Sequence, residues 1–284
     1  MIVLVTGGAG FIGANLIKRL VSEEHTVFSL DNYSTGREEN HQEGADYFDV
    51  DLRIITDFDV YGPPDVVFHL AANARIQPSF SNPVDYITSN AISTLNLVNW
   101  CSDRKIPIIH SGSSSKHSGR FKNPYTFSKD IAEDVIKLYQ EHYELKASNA
   151  RFYNVYGPHQ LIGGSHATLV GTWIHNIENQ EEPVIYGDGL QKRDFTHVND
   201  IVDALCLIME KKAYGHDFEL GRGKNYSVAE VAEMFKIKPK MKEARKGEAR
   251  ETLNSSTLAK EVLGWEPKLE LSDYVSEWLK EKDK

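Results

Sequence analysis

The chain has 284 residues, 40% of them hydrophobic, and its 41 acidic against 32 basic side chains leave a formal charge of −9. Collagen-like and disordered compositions are excluded, and the length admits one large domain or two closely associated ones, each able to bury a core. A chain this acidic is repelled by phosphate backbones and anionic lipid, so neither nucleic acid nor a membrane surface is an expected partner.

The apolar start Ile2-Val3-Leu4-Val5 stops at Thr6-Gly7-Gly8, far short of the roughly 20 apolar residues that span a bilayer, and no leader is expected. Short β-branched runs then alternate with stretches of helical period, the pattern of parallel strands joined by crossover helices. Strands are predicted at 2–6, 26–31, 66–70, 106–111 and 147–152, and helices near 12–23, 83–105 and 126–143. The last helix carries Ile131, Val135, Leu138 and His142 on one stripe and Ala132, Ile136, Tyr139 and Tyr143 on the next. So wide an apolar face lies either deep against its own sheet or under a second subunit in a homodimer. After Gly157-Pro158 the alternation stops, and turn signals appear at Gly163-Gly164 and Gly187-Asp188-Gly189. Cys101 and Cys206 do not make a disulfide framework, which points to a reducing, cytoplasmic setting. The 11 histidines show no pair at ligand spacing beside a carboxylate triad, so no metal is expected.

Gly7-Gly8-Ala9-Gly10-Phe11-Ile12-Gly13 follows the first strand and opens a helix. Missing side chains there let a pyrophosphate approach backbone amides and the positive helix end, although a tight strand-to-helix turn also wants glycine. Asp31, about 20 residues on, ends the second strand, where a carboxylate accepts hydrogen bonds from an adenosine ribose and repels a 2′-phosphate. That favours NAD over NADP. Asp51-Leu52 and Leu70-Ala71-Ala72, after later strands, are placed to border the adenine and the middle of such a cofactor, or are ordinary turn and core residues.

Tyr125 and Lys129 lie four apart at the start of a helix and project from one face. Ionising a tyrosine near pH 7 requires a drop of about three pKa units, or about 4 kcal/mol. A lysine charge at about 5 Å and an effective dielectric near 20 supplies roughly 3 kcal/mol, and a positively charged nicotinamide would supply the remainder. The spacing alone is common by chance. Ser111-Gly112-Ser113-Ser114-Ser115 sits at a strand's carboxyl end, where open α/β sheets place ligands, though serine-rich strand exits are also plain loops.

Taken together, these residues resemble the extended short-chain dehydrogenase/reductases, specifically the NAD-dependent epimerase/dehydratase family acting on nucleotide sugars. The likeness runs from Thr6–Gly13 through Asp31-Asn32-Tyr33-Ser34-Thr35-Gly36, Phe68-His69-Leu70-Ala71-Ala72 and Tyr125–Lys129 to Arg151–Pro158. It continues through 187–195 and Leu263-Gly264-Trp265-Glu266-Pro267. It implies an α/β fold: a Rossmann-type doubly wound parallel sheet over 1–157, with part of 190–214 returning to it, and a smaller C-terminal substrate-binding lobe over 158–284.

Carried over, the resemblance makes Ser113 a hydrogen-bonding partner, Tyr125 the general base and acid, and Lys129 the ribose-binding activator. NAD would be bound by Gly7, Gly10, Phe11, Ile12, Gly13, Asp31, Asn32, Ser34, Thr35, Gly36, Asp51, Leu52, Leu70, Ala71 and Ala72. Asn154, Arg193 and Arg245 would surround the diphosphate of a UDP-linked sugar, and Thr252, being small, would tolerate an N-acetyl group beside it. Residues 236–250 carry a local charge of +5 and leave −14 to the remainder, which suits Arg245 to a diphosphate.

Relatives that dehydrate or decarboxylate carry acidic residues just after the catalytic serine, where this chain has Ser114 and Ser115, so a UDP-sugar 4-epimerase is implied. A 4-keto-sugar reductase, another epimerase/dehydratase activity and an NAD-binding regulator are the alternatives. Two departures stand out: Ser113 and Tyr125 are 12 positions apart, about half the family's usual interval, and His117 replaces a common tyrosine.

Overall fold

The computed structural model describes residues 1–59 and 62–282. The chain opens with β1 (Ile2–Thr6), α1 (Phe11–Ser22), β2 (Thr26–Asp31), β3 (Ala45–Asp49) and β4 (Val66–His69). Helices α2 (Ile76–Ser81) and α3 (Pro83–Ile87) run through a π-helical turn at Thr88–Ile92 into α4 (Ser93–Asp103). Then come β5 (Ile108–Ser113), a 3₁₀ turn at Ser114–Ser118, α5 (Pro124–His142), β6 (Ala147–Phe152) and β7 (Val155–Tyr156). The remainder comprises α6 (Leu169–Glu178), β8 (Val184–Tyr186), β9 (Lys192–Asp194), β10 (Thr196–His197), α7 (Val198–Glu210) and β11 (Asp217–Leu220). It closes with β12 (Asn225–Ser227), α8 (Val228–Met234), β13 (Lys240–Lys242) and α9 (Leu271–Lys282).

Seven strands form one parallel sheet in the order β11-β6-β5-β4-β1-β2-β3. The chain winds outward from β1 to β3, returns to the middle at β4, and winds the other way. The carboxyl ends of β1 and β4 therefore flank the reversal point, where such sheets open a ligand crevice. One face is covered by α1 and α7, whose Leu16, Ile17, Ile201, Leu205 and Ile208 are fully buried together. Trp265 joins them and donates its indole N–H to the Asp200 carbonyl at 2.7 Å. The opposite face is closed by Leu97, Val98 and Trp100 of α4 and Ile136 of α5. A separate core of Trp173, Ile174, Ile185, Phe195, Val231 and Phe235 holds α6, α8 and the short β8 and β9 ribbons.

Differences from the predicted elements have local causes. The predicted strand at 106–111 is displaced to 108–113 because the Ile106 amide still bonds back to Cys101, so Ser113 ends a strand rather than lying in a loop. β3 and β11 were not anticipated: ADYFD and DFEL are short, acidic edge strands without an apolar run. In α5, Ala132 and Ile136 are fully buried, whereas Leu138 and the C-cap Tyr143 are 49% and 59% exposed, so the chain covers only part of that wide apolar face. Among the described residues no helix is long and apolar enough to cross a membrane.

Candidate active site

A cavity of about 700 Å³ opens at the reversal point. Its floor begins at the β1–α1 turn. Gly7 adopts φ +73°, and a Cβ on Gly13 would stand 2.2 Å from the Gly7 carbonyl oxygen, so the helix can seat on the turn only without a side chain. Asp31, at the end of β2, is 7% exposed and accepts hydrogen bonds from the Ala9 amide at 3.0 Å and the Tyr33 amide at 2.9 Å. Burial nevertheless raises its carboxyl above the ordinary range. Asp51 is tied to Arg53, which lowers it.

Nearly all nominated residues share this one cavity: Gly7, Gly10, Phe11, Ile12, Gly13, Asp31, Asn32, Ser34, Thr35, Asp51, Leu52, Leu70, Ala71 and Ala72 line its first part. Gly36 does not. It packs behind Asp31, where a Cβ would sit 2.8 Å from the carboxylate.

Beyond them stand Ser113, Tyr125 and Lys129. Asn123 caps α5 through a 2.8 Å bond from the Thr126 amide, which fixes the first turn carrying Tyr125. Ser113 closes β5, and its hydroxyl donates to Ser115 Oγ at 2.9 Å. Burial pushes the Tyr125 hydroxyl above its ordinary value, opposed by Ser113 and by the Arg75 cation. Lys129 is 5% exposed, with Nζ 3.4 Å from Ser111 Oγ, and burial lowers it to about 8. Without further ligands, then, the pocket holds the tyrosine protonated.

The short link between Ser113 and Tyr125 has a structural explanation. Arg151 of β6 is ringed by Glu133, Asp217 and Glu219, and the link closes over this buried group: Lys116 pairs with Glu133 at 2.6 Å and His117 with Glu219 at 2.9 Å. The bond to Glu219 holds the His117 imidazole above its ordinary value. His117 thereby serves the fold where the family tyrosine would have been expected.

Asn154, Arg193, Arg245 and Thr252 line the far part of the cavity. Asn154 Nδ2 donates to Thr252 Oγ1 at 3.0 Å and to the Asp194 carbonyl at 2.9 Å, so both residues are held by β9. Arg245 stacks 3.6 Å above the Tyr186 ring and lowers its hydroxyl by hydrogen bonding. Arg193 and Arg245 lie 3.6 and 3.9 Å from Glu248. Sequence reasoning missed Tyr186, Glu248 and Arg75, whose roles arise from contacts between distant segments and leave no local motif.

The NAD dependent epimerase/dehydratase family matches residues 3–221 of this chain. The chain belongs to that family. UDP-glucose 4-epimerase of Mycolicibacterium smegmatis is 31% identical over 300 residues, 96% of each chain. UDP-glucuronic acid decarboxylase 6 of Arabidopsis thaliana is 31% identical over 301 residues, 96% of this chain and 86% of that one. The crystal structure of a Thermotoga maritima UDP-glucose 4-epimerase with UDP-glucose superposes over the whole of both chains with a TM-score of 0.92 at 30% identity.

The epimerase/dehydratase cofactor fits the residues present. Gly10 is the N-cap of α1 and has no side chain to bond the first-turn amides, and a Cβ there would meet nothing nearer than the Gly7 carbonyl oxygen at 3.2 Å. The helix start thus keeps free donors beside an open space sized by absent side chains, as a dinucleotide pyrophosphate requires.

Proposed function

We propose that the chain interconverts UDP-sugars at carbon 4, the UDP-glucose/UDP-galactose pair or the corresponding N-acetylhexosamines, without net oxidation. One observation carries the reading. Ser113, Tyr125 and Lys129 meet on the cavity wall, and the acidic residues lining that cavity among the described residues are Asp31, Asp51, Glu182 and Glu248, none from the 111–129 segment. Proton transfer to and from a hydroxyl is therefore provided for, while a carboxylate for eliminating water or carbon dioxide is not.

The glycine turn, the start of α1 and Asp31 would hold NAD, with Tyr125 and Lys129 at its reactive end. When bound, NAD supplies a hydride acceptor and donor for carbon 4. Tyr125 takes the proton of the sugar's 4-hydroxyl, directly or through Ser113, and returns it after the 4-keto sugar has turned in the cavity. Lys129 favours the tyrosinate by its charge. Arg193 and Arg245 take the diphosphate, Asn154 supports them, and Thr252 borders the sugar. In this reading residues 1–157, with part of 190–214, form the cofactor domain, and most of 158–284 forms the substrate lobe.

The proposal includes a homodimer that covers the exposed Leu138 of α5 and Tyr143 at its C-cap, and a cytoplasmic setting suited to the two buried free thiols. Purified protein given UDP-glucose and UDP-N-acetylglucosamine should yield the 4-epimers by anion-exchange chromatography and NMR, with no NADH consumed. Conversion accompanied by loss of water or carbon dioxide, or by NADH consumption, would overturn it. The decarboxylase relative makes that comparison necessary.

A further inference from the structure

Residues 245–248 form a strap along the cavity, with footings on both of its sides. On the substrate side, Arg245 stacks on Tyr186 of β8, and Glu248 lies 3.6 Å from Arg193 of β9. On the cofactor side, the Gln77 side-chain amide of α2 donates to the Lys246 carbonyl at 3.0 Å and to Glu248 Oε1 at 3.2 Å. Gly247 has φ +79°, and a Cβ on it would sit 2.8 Å from Phe80 Cζ, so the strap lies this close to α2 only without a side chain there.

The other footing on the cofactor side is Asn123. Its Nδ2 donates to the Gly247 carbonyl at 3.1 Å, while its Oδ1 accepts the Thr126 amide at 2.8 Å. One side-chain amide thus holds the strap with one atom and caps α5 with the other. Capping alone does not call for asparagine, because serine and aspartate cap equally well. What asparagine adds is the donor that reaches the strap. Asn123 is 4% exposed, so lifting the strap would leave that donor buried without a partner, and the two keep one arrangement together. Arg245 lies two residues before Gly247, and Tyr125 two residues after Asn123. A single hydrogen bond therefore stands between the segment assigned to the diphosphate and the helical turn that carries the proposed base.

We propose that Asn123 is a positioning residue that latches 245–248 to the start of α5, so that a diphosphate seated on Arg245 fixes the Tyr125 ring for proton transfer at carbon 4. The inference rests on the reading above, in which Arg193 and Arg245 take the diphosphate and Tyr125 the proton. Binding energy from the nucleotide, remote from the reacting carbon, is then used to orient the base.

The test uses NAD-loaded protein and the variants Asn123→Ser and Asn123→Asp, which keep the cap but lose the donor to Gly247. Both should melt within about 2 °C of wild type. With UDP-glucose or UDP-N-acetylglucosamine their kcat should fall about 10- to 100-fold, the effect of a displaced catalytic group. The UDP dissociation constant, from calorimetry, should rise no more than about tenfold, as one neutral hydrogen bond allows. A second measurement needs no variant. In wild type, UDP should slow amide hydrogen exchange both at 245–248 and at 124–130, where the Thr126 amide reports on the cap; in Asn123→Ser it should slow exchange at 245–248 alone. Wild-type kcat in both variants would overturn the proposal. So would UDP protection in wild type confined to 245–248, even if neither variant folds, and either result leaves the 4-epimerase reading intact. UDP that fails to bind wild type, or that leaves 245–248 unprotected, would count against the diphosphate assignment in that reading, and the latch would fall with it.

Discussion

Replacing Lys129 by Met should make the protein more stable and much slower. Lys129 falls from 10.5 to about 8 on burial. Below pH 8 the charged form persists in the fold at an expense of about 3 kcal/mol, from 2.5 pKa units at 1.36 kcal/mol each. The folded value lies below the unfolded one, so this penalty is complete below pH 8, shrinks as pH rises from 8 to 10.5, and vanishes above. Met fills similar volume without charge but leaves Ser111 Oγ without its 3.4 Å donor, an offset of about 1 kcal/mol. The net gain is about 2 kcal/mol at pH 7, read as a Tm several degrees higher that meets wild type near pH 10 and falls slightly below it at higher pH, where only the lost hydrogen bond remains. Catalysis moves the other way. Removing a charge at about 5 Å with an effective dielectric near 20 withdraws roughly 3 kcal/mol from the tyrosinate, which lowers its population by about 100-fold. The assays are thermal unfolding at pH 7 and pH 10 and 4-epimerisation rate at pH 7. A variant that is less stable at pH 7 would refute the buried-charge penalty, and one that keeps a third of wild-type activity would refute the activating role.

Other changes have equally definite outcomes. Asp31→Asn removes the charge from the proposed ribose acceptor, so the NAD dissociation constant should rise about 10- to 100-fold while discrimination against NADP shrinks. Calorimetric titration with both cofactors checks this, and a wild-type protein that prefers NADP would contradict it. Glu248→Gln removes the carboxylate that competes for Arg193 and Arg245, so KM for the nucleotide sugar should fall several-fold with kcat little changed. An increase in KM would mean that Glu248 orients those arginines. Arg151→Met strands Glu133 and Glu219 in the interior and should destabilise by about 3 to 5 kcal/mol in urea unfolding. A change under about 1 kcal/mol would show those carboxylates to be satisfied by Lys116 and His117 alone.

Features visible in the sequence are those that physics confines to a short segment. A strand that must turn into a helix over an anion leaves glycines at fixed offsets, and a helix that must present two groups on one face leaves Tyr125 and Lys129 four apart. Asp31 was readable because its strand ends a definite distance after the loop. Gly36 was assigned to the cofactor by its place in that same turn; it lies outside the cavity lining and makes room for the Asp31 carboxylate. Arg75 left no signal, because its place on the cavity wall depends on the His166 carbonyl 91 positions away. The buried Arg151 cluster was hidden for a similar reason: Glu133, Asp217 and Glu219 come from α5 and an unanticipated edge strand. It also explains the shortened link, which looked from the sequence like a departure at the sugar site.

The central claim is that hydrogen leaves carbon 4 as hydride and returns to the same carbon while Tyr125 handles the proton. A UDP-sugar deuterated at carbon 4, incubated with the purified protein and followed by NMR and mass spectrometry, tests it directly. The expected result is a mixture of 4-epimers with the deuterium retained at carbon 4, no uptake of solvent hydrogen there, and no product formed by Tyr125→Phe. Deuterium lost to solvent, or product that lacks water or carbon dioxide, would contradict it.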